Sequence, residues 1–510
     1  MFVILLSCLL LLVLVYLFVP RNSQKWKMLS KYPGDYPLPI IGNGLQLGFD
    51  ADASSHKLIE LWKKHGMQNF RMTVGSEEWV LLTDPDDVAI ILNHPTELSK
   101  PVERNAAMMP FFGNSVSTSE GERWKSTRKL MAPSFSYKTL EKRIEHVNKY
   151  CGRLFEILDN HRDDDDIDMY KYLRPYMFDI LCHSLMGVDY NLLDDLQHPY
   201  LEASNKVVNI ITQNFFSYWR NIRMIFMLTP FYKEMQDTIR TIKDTSTDII
   251  RQRKVKLNQL IEDTKNNNRN VDDDVEQLIE DKVSDDACLL DKFLLSKSNN
   301  GDPTPDEIIN EELTLVCWTG HYTTTMTMAH TLYCLAKHPE VQRRVFEEQI
   351  AIFKADLNKQ ATNHDLNEMK YLEAAIKESI RVIPTVTKIG RQLNNDLKFT
   401  GDKVIPADTT VLVFYEAIYK DPKLFPEPEK YYPERFFSSM HNHAFVPFSA
   451  GPRNCLGFRY AWAAMKATLS NMIRKYELTL GNPGTEPQFA YRIITESTNG
   501  VHLKLKRRKK

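Results

Sequence analysis

Seven cysteines stand in this chain of 510 residues, at positions 8, 151, 182, 288, 317, 334 and 455. No CxxC pair occurs among them, which argues against a zinc module or a disulfide framework. Six read as small buried hydrophobes. Cys455 is different. It lies in Phe448-Ser449-Ala450-Gly451-Pro452-Arg453-Asn454-Cys455-Leu456-Gly457. Residues 456 to about 475 (LGFRYAWAAMKATLSNMIRK) carry a helical pattern, so the sulfur stands at a helix N-terminus, where the dipole lowers a thiol pKa. Gly451 and Gly457 let backbone approach the sulfur closely. Backbone N–H groups of such a turn can bond a thiolate and tune a metal on it. Arg453 adds a cation for an anionic group, and Phe448 can cover one side of the sulfur. Together these residues suit a shielded, deprotonated, metal-binding thiolate.

Long elements must hold that loop. Hydrophobic residues make up 43% and charged residues 26% of the chain, a globular mix, and the net charge of −1 gives no sign of nucleic-acid binding. The pattern predicts a mainly α, α+β fold with a long central helix and small β-sheets. Short strands are expected around Phe70–Val74 and Val80–Thr83, and again with turns between Arg391 and Cys455. The central helix is expected from Thr304 to Lys337, with Thr304 as N-cap, Pro305 first and Glu307 closing a capping box. Its middle reads Trp318-Thr319-Gly320-His321-Tyr322-Thr323-Thr324-Thr325. Two readings of this run are open: a bulge that admits side chains or a ligand, or hydroxyls bonded back to the helix's own carbonyls. Residues 254–305, rich in Lys, Asn and Asp, read as a surface excursion.

At the N-terminus, Phe2 to Val19 is apolar except for Ser7, long enough to span a bilayer. The charges of Arg21, Lys25 and Lys27 follow it. An uncleaved anchor with its C-terminal side in the cytosol is therefore expected, against a cleaved signal peptide. The boundaries are 1–20 for the transmembrane anchor, 21–45 for a basic and proline-rich tether, and 46–510 for one large cytosolic domain.

The cysteine loop matches FxxGxRxCxG at every fixed position, and this resembles the cytochrome P450 superfamily. The resemblance covers about residues 33 to 503. It implies that fold and haem b, with Cys455 as axial thiolate of the iron and Arg453, Phe448 and Gly457 lining the same site. Trp124 and Arg128, four apart in GERWKSTRKL, resemble the family's WxxxR pair. An indole N–H and a guanidinium on one face suit one propionate. Arg391, after Ile389-Gly390, resembles a further propionate contact. Glu378 and Arg381 share a helical face and resemble the ExxR motif. Arg435 of Pro433-Glu434-Arg435-Phe436 is expected to join them in a buried structural network.

The central helix resembles the family pattern small-Gly-x-acid-Thr, with one departure. Thr319, Gly320 and Thr323 align, but Tyr322 replaces the acid. Thr323 and Tyr322 are thus the catalytic candidates on the oxygen side, and a phenol with a pKa near 10 is a poor proton donor. The surroundings look most like the fatty-acid omega-hydroxylase branch and its insect members. That branch often carries a Glu at position 319 that esterifies haem, so Thr319 implies haem held without an ester link. The resemblance implies a monooxygenase using NADPH-derived electrons, whose thiolate favours O–O cleavage. The substrate class is apolar: a fatty acid, a steroid-like compound or a foreign lipid. Partners implied are NADPH-cytochrome P450 reductase, cytochrome b5 as a second donor, and endoplasmic-reticulum lipid around a single-pass anchor. Phe111-Phe112, Val386-Thr387 and Ser497-Thr498 match substrate-lining regions. Two other functions compete: a haem-thiolate peroxide isomerase or dehydratase, which needs no proton relay, and a non-catalytic haem or lipid binder.

Overall fold

The structure is a computed structural model that describes residues 23–508, except 40, 49–50, 217–222, 268–287, 298–300 and 355. The expected anchor at 1–20 lies outside the described residues. Among these residues no helix is long and apolar enough to cross a membrane.

Strand-forming residues in FRMTV and EEWVLL make a hairpin, β1 (Phe70–Val74) and β2 (Glu77–Leu82), with Phe70 opposite Leu81. Two strands from much later in the chain complete the sheet: β3 (Lys388–Gln392) and β4 (Thr410–Phe414). The order is β1-β2-β4-β3, with β2 and β4 parallel and β3 and β4 antiparallel. Segments far apart in the chain therefore share one sheet.

Five helices define the rest of the site: α1 (Gly121–Met131), α2 (Met169–Leu181), α3 (Asp306–Lys337), α4 (Lys370–Val382) and α5 (Phe458–Lys475). Helix α3 is buried on nearly every side, with Leu313, Trp318, Met326 and Leu332 all in the main core. Such a helix belongs at the centre of a large domain, and α2, α4 and α5 pack on it. A last hairpin, β5 (Phe489–Tyr491) and β6 (Thr495–Ser497), closes the C-terminal side.

Several details differ from expectation. The capping box at Thr304 does not form: Pro305 takes the N-cap position without a side-chain bond, and the Thr304 hydroxyl pairs instead with Ser296 at 2.7 Å. The described part of the 21–45 segment is no free tether. Ser23 caps a short helix, Gln24–Leu29, and the extended stretch beyond it docks on β1 through Arg71 N–H to the Pro33 carbonyl, 2.8 Å. Tyr32 is buried there. The start of the expected excursion is helical, within Pro230–Asn267.

Candidate active site

Gly451 carries φ +69°, and a Cβ there would stand 2.0 Å from the Leu92 carbonyl. Only glycine fits such a position, and it turns the chain so that Cys455 N–H reaches the Phe448 carbonyl at 2.9 Å. Helix α5 begins at Phe458, with Gly457 at its N-cap, so Cys455 stands just ahead of the helix. The Gly457 N–H favours the thiolate form of Cys455. Burial nevertheless raises the thiol pKa, with Gly457 N–H and Arg128 pulling the other way. The lowered thiol expected from the helix dipole is not found in the protein alone, because desolvation of a thiolate outweighs the nearby positive ends.

Cys455 is exposed, but to an interior cavity rather than to the outside surface. Two lobes, about 300 and about 220 Å³, meet at Cys455. Phe448, Arg453 and Ala461 from the cysteine side line both lobes, and Thr323 and Thr324 from α3 face them. Phe448 is set by Trp462, with ring centroids 5.8 Å apart. Gly320 lets α2 approach, since a Cβ would meet Leu181 Cδ1 at 2.1 Å. Of the substrate-lining residues expected, Val386 lines the cavity; Phe111 and Phe112 are core residues, and Phe112 packs on Trp318.

The rim of the cavity is strongly positive. Burial, then Arg391, Arg104, Arg453 and Arg128, hold Lys100 well below its ordinary pKa. Burial likewise brings Arg104, Arg391 and Arg453 down to about 10. The guanidinium of Arg453 lies over the Trp124 ring at 4.2 Å and donates to the Ser119 carbonyl at 2.9 Å. Arg128, expected beside Trp124 as a free donor, is turned to the loop, where it donates to the carbonyl of Asn454 at 3.0 Å and to its side chain. It thus clamps the residue before the cysteine. Arg391 is almost wholly buried on β3; its Nε and Nη2, and Nε of Arg453, have no partner among the described residues. Buried guanidinium donors without acceptors are costly, and a doubly anionic ligand in the cavity would relieve them. This donor set suits a haem with its two propionates. Sequence reasoning missed Lys100 and Arg104; their one local signal was two cations four apart around Pro101.

Glu378 is fully buried on α4. Its carboxylate accepts from Arg381 at 2.7 and 2.9 Å, from Arg435 at 3.0 Å and from the Tyr432 N–H at 2.8 Å. Arg381 also donates to the carbonyls of Tyr419, Pro428 and Lys430. Every charge in the group is satisfied, as burial demands.

On α3 the hydroxyls bond back: Thr319 to Leu315, Thr323 to Thr319 and Thr324 to Gly320, at 2.7–2.9 Å. The second of the two sequence readings therefore holds, and no bulge interrupts the helix. The pairing of Tyr322 with Thr323 at the cavity is corrected. Tyr322 points the other way, stacks on Trp318 with centroids 5.4 Å apart, and donates to Glu496 of β6. Successive helical residues lie about 100° apart, so neighbours in sequence face different surroundings. His321 gives its Nδ1 proton to the Cys317 carbonyl at 2.6 Å, and burial lowers its pKa to about 4.

A family model described as Cytochrome P450 matches residues 32–502. Among curated proteins, Drosophila melanogaster Cytochrome P450 4d2 is 33% identical over 93% of this chain and 94% of its own length. Drosophila melanogaster Cytochrome P450 4c3 is 31% identical over 97% and 92%. Cytochrome P450 4e5, mitochondrial, from Drosophila mettleri is 30% identical over 86% and 82%. With a cysteine loop opening on a cation-rimmed cavity and a family match across nearly its whole length, the chain belongs to the cytochrome P450 family, haem-thiolate oxidoreductases of the monooxygenase type.

Proposed function

We propose that this protein inserts one oxygen atom of dioxygen into an apolar substrate of the fatty-acid or steroid-like class, using electrons that originate from NADPH. The observation that carries the reading is Cys455 facing a cavity lined by Lys100, Arg128 and Arg453, with the charges of Arg104 and Arg391 close to Lys100.

Cys455 would hold the iron of haem b, and Arg391, Arg453, Lys100 and Trp124 would hold its propionates. Bound there, the haem supplies the oxygen-activating redox chemistry. The chain's own residues do the rest. The apolar cavity walls, among them Leu181, Val316 and Val386, strip water from an apolar substrate and leave few polar partners for any other. Thr319 offers no carboxylate for an ester link, and its hydroxyl is engaged at Leu315. The Thr323 hydroxyl stands on the cavity side of α3, where it can hold a proton or a water near the reacting atoms. The Glu378–Arg381–Arg435 group keeps the segment before the cysteine loop in register.

The electron donor proposed is NADPH-cytochrome P450 reductase, with cytochrome b5 as a second donor. The proposed location is the endoplasmic-reticulum membrane, through the apolar segment at 1–20. The test is a reduced carbon monoxide difference spectrum of the purified chain, followed by NADPH-dependent oxygen uptake with reductase and a fatty-acid panel. A haem-thiolate spectrum with uptake that yields hydroxylated product is expected. Peroxide consumption without any NADPH-driven uptake would transfer the chain to the isomerase class instead.

A further inference from the structure

Thr319, Thr323 and Thr324 of α3 line the cavity, but their hydroxyls give their protons to the helix's own carbonyls. Ser117, which lines the larger lobe, is placed differently. Arg104 of the helix Val102–Phe112 donates through Nη1 to the Ser117 carbonyl at 3.2 Å and through Nη2 to the Ser117 hydroxyl at 2.9 Å. A guanidinium has no lone pair to offer. Ser117 Oγ is therefore the acceptor in that bond, and its own proton is left to give. No acceptor for that proton stands among the described residues. The loop that carries Ser117 is fixed from further points. Asn105 donates to the Thr118 carbonyl at 3.1 Å, Arg453 donates to the Ser119 carbonyl at 2.9 Å, and Glu312 of α3 accepts from the Val116 N–H at 2.9 Å.

We infer that the Ser117 hydroxyl is a recognition point for the substrate, donating to an acceptor oxygen on the apolar molecule that fills the cavity, and that a carboxylate suits it best. The inference deepens the monooxygenase reading and rests on it. Lys100, Arg128 and Arg453 line the same lobe, and the charges of Arg104 and Arg391 act on Lys100. The two propionates of a haem, together with Glu120, which acts on Arg453, leave this group of cations in excess. An ionised acceptor is therefore drawn to this part of the cavity ahead of a neutral one. A hydrogen bond to a charged oxygen is also stronger than one between neutral groups. The guanidinium on Ser117 Oγ polarises the hydroxyl and makes it the better donor. The fixed loop adds to the effect, because a donor already in place gives up little freedom when the ligand arrives. A hydrocarbon without oxygen fills the same apolar walls but leaves the Ser117 proton without a partner. Ser117 is thus the residue that selects for an acid, and Arg104, which acts through it, is a positioning residue.

Two probes that differ only in the acceptor test this: 6-phenylhexanoic acid, ionised at neutral pH, and hexylbenzene, which carries a methyl in place of the carboxyl group. The full, haem-loaded chain is compared with Ser117→Ala, Ser117→Thr and Arg104→Leu. Binding is read from the change in haem absorbance, without electron donor or turnover. Ser117→Ala should raise the Kd of the acid about tenfold, the usual worth of a hydrogen bond to a charged group, and move that of hexylbenzene by about twofold at most. Ser117→Thr keeps a hydroxyl and should restore most of the affinity for the acid. Arg104→Leu should weaken the acid as well and speed amide hydrogen exchange across residues 115–119. Transfer of haem to a competing acceptor protein is followed alongside. If Ser117→Ala weakens both probes alike or neither, or if Arg104→Leu binds the acid as the parent does, the inference is overturned. It is also overturned if Ser117→Ala leaves acid binding unchanged but speeds haem transfer, which would give the hydroxyl to a propionate. A parent chain with no haem-thiolate spectrum would sink the monooxygenase reading itself, and that spectrum is recorded first for that reason.

Discussion

Replacing Arg381 by alanine should be among the most destabilising single changes on α4. The guanidinium makes two bonds to Glu378 and three to backbone carbonyls of the segment that leads to the cysteine loop. Alanine leaves the Glu378 carboxylate at 0% exposure with Arg435 and the Tyr432 N–H as its remaining partners. Breaking one side of a buried pair costs about 3–5 kcal/mol, chiefly because the other charge stays desolvated. A second pair at nearly the same distance is the control. Arg343 and Glu347 meet at 2.6 Å, but their side chains are 66% and 55% exposed, and an exposed i,i+4 pair contributes only about 0.3–0.5 kcal/mol. If distance decided the matter, the two substitutions would cost alike; if burial decides, they differ by about tenfold in energy. Unfolding entropy near 2.1 cal/mol/K per residue gives this chain roughly 1 °C of melting shift per kcal/mol. Arg381→Ala should therefore lower the melting midpoint by about 3–5 °C, and Arg343→Ala by about 0.5 °C or less. Differential scanning calorimetry of the two variants beside the parent chain reads this directly. Equal shifts, or a loss below about 1 kcal/mol at Arg381, would refute the reasoning from burial.

Four further outcomes follow from other parts of the molecule. Cys455→Ala should abolish the reduced carbon monoxide band of a thiolate-ligated haem, while Cys151→Ala, remote from the cavity, should keep it. Gly451→Ala places a Cβ 2.0 Å from the Leu92 carbonyl at φ +69°, so it should cost about 1–3 kcal/mol of stability and lower haem content in purified protein. Arg391→Leu removes a buried cation with two unpartnered donors, so haem should pass faster to a competing acceptor protein, followed by absorbance. Glu312 is fully buried, and burial raises its pKa to about 7. The native state then binds the proton more tightly than the unfolded chain, whose carboxyl titrates near 4.5. Its contribution is fully present below pH 4.5 and fades as pH rises through about 7. Glu312→Gln keeps an acceptor for the Val116 N–H and should flatten that part of the stability–pH curve in denaturant titrations.

What was legible in the sequence was what is local. The cysteine loop holds its determinants in one short stretch, so Gly451, Arg453 and Cys455 could be read together. Glu378 and Arg381 are i and i+3 on one helix, and a spacing rule finds such pairs. The central helix and the β1–β2 hairpin were legible for the same reason. The rest depends on residues far apart in the chain. Arg391 acts on the charge of Lys100 because distant elements pack together there, and no spacing rule joins them. Tyr322 was read as a lost acid because its partner waits 174 positions away. Thr304 was read as a cap, although a tertiary bond to Ser296 had a stronger claim on its hydroxyl.

The mixed sheet has a bearing on how the protein is made. Strand β2 finds its parallel neighbour only when Thr410–Phe414 has left the ribosome. At about 5–20 residues per second, that wait is on the order of tens of seconds. Throughout it, Trp79–Leu82 presents an apolar, hydrogen-bond-hungry edge to whatever is nearby. Nascent chains are thus at their stickiest before the cysteine loop exists. Yield in a foreign host should be governed by chaperone supply during translation more than by the stability of the finished fold.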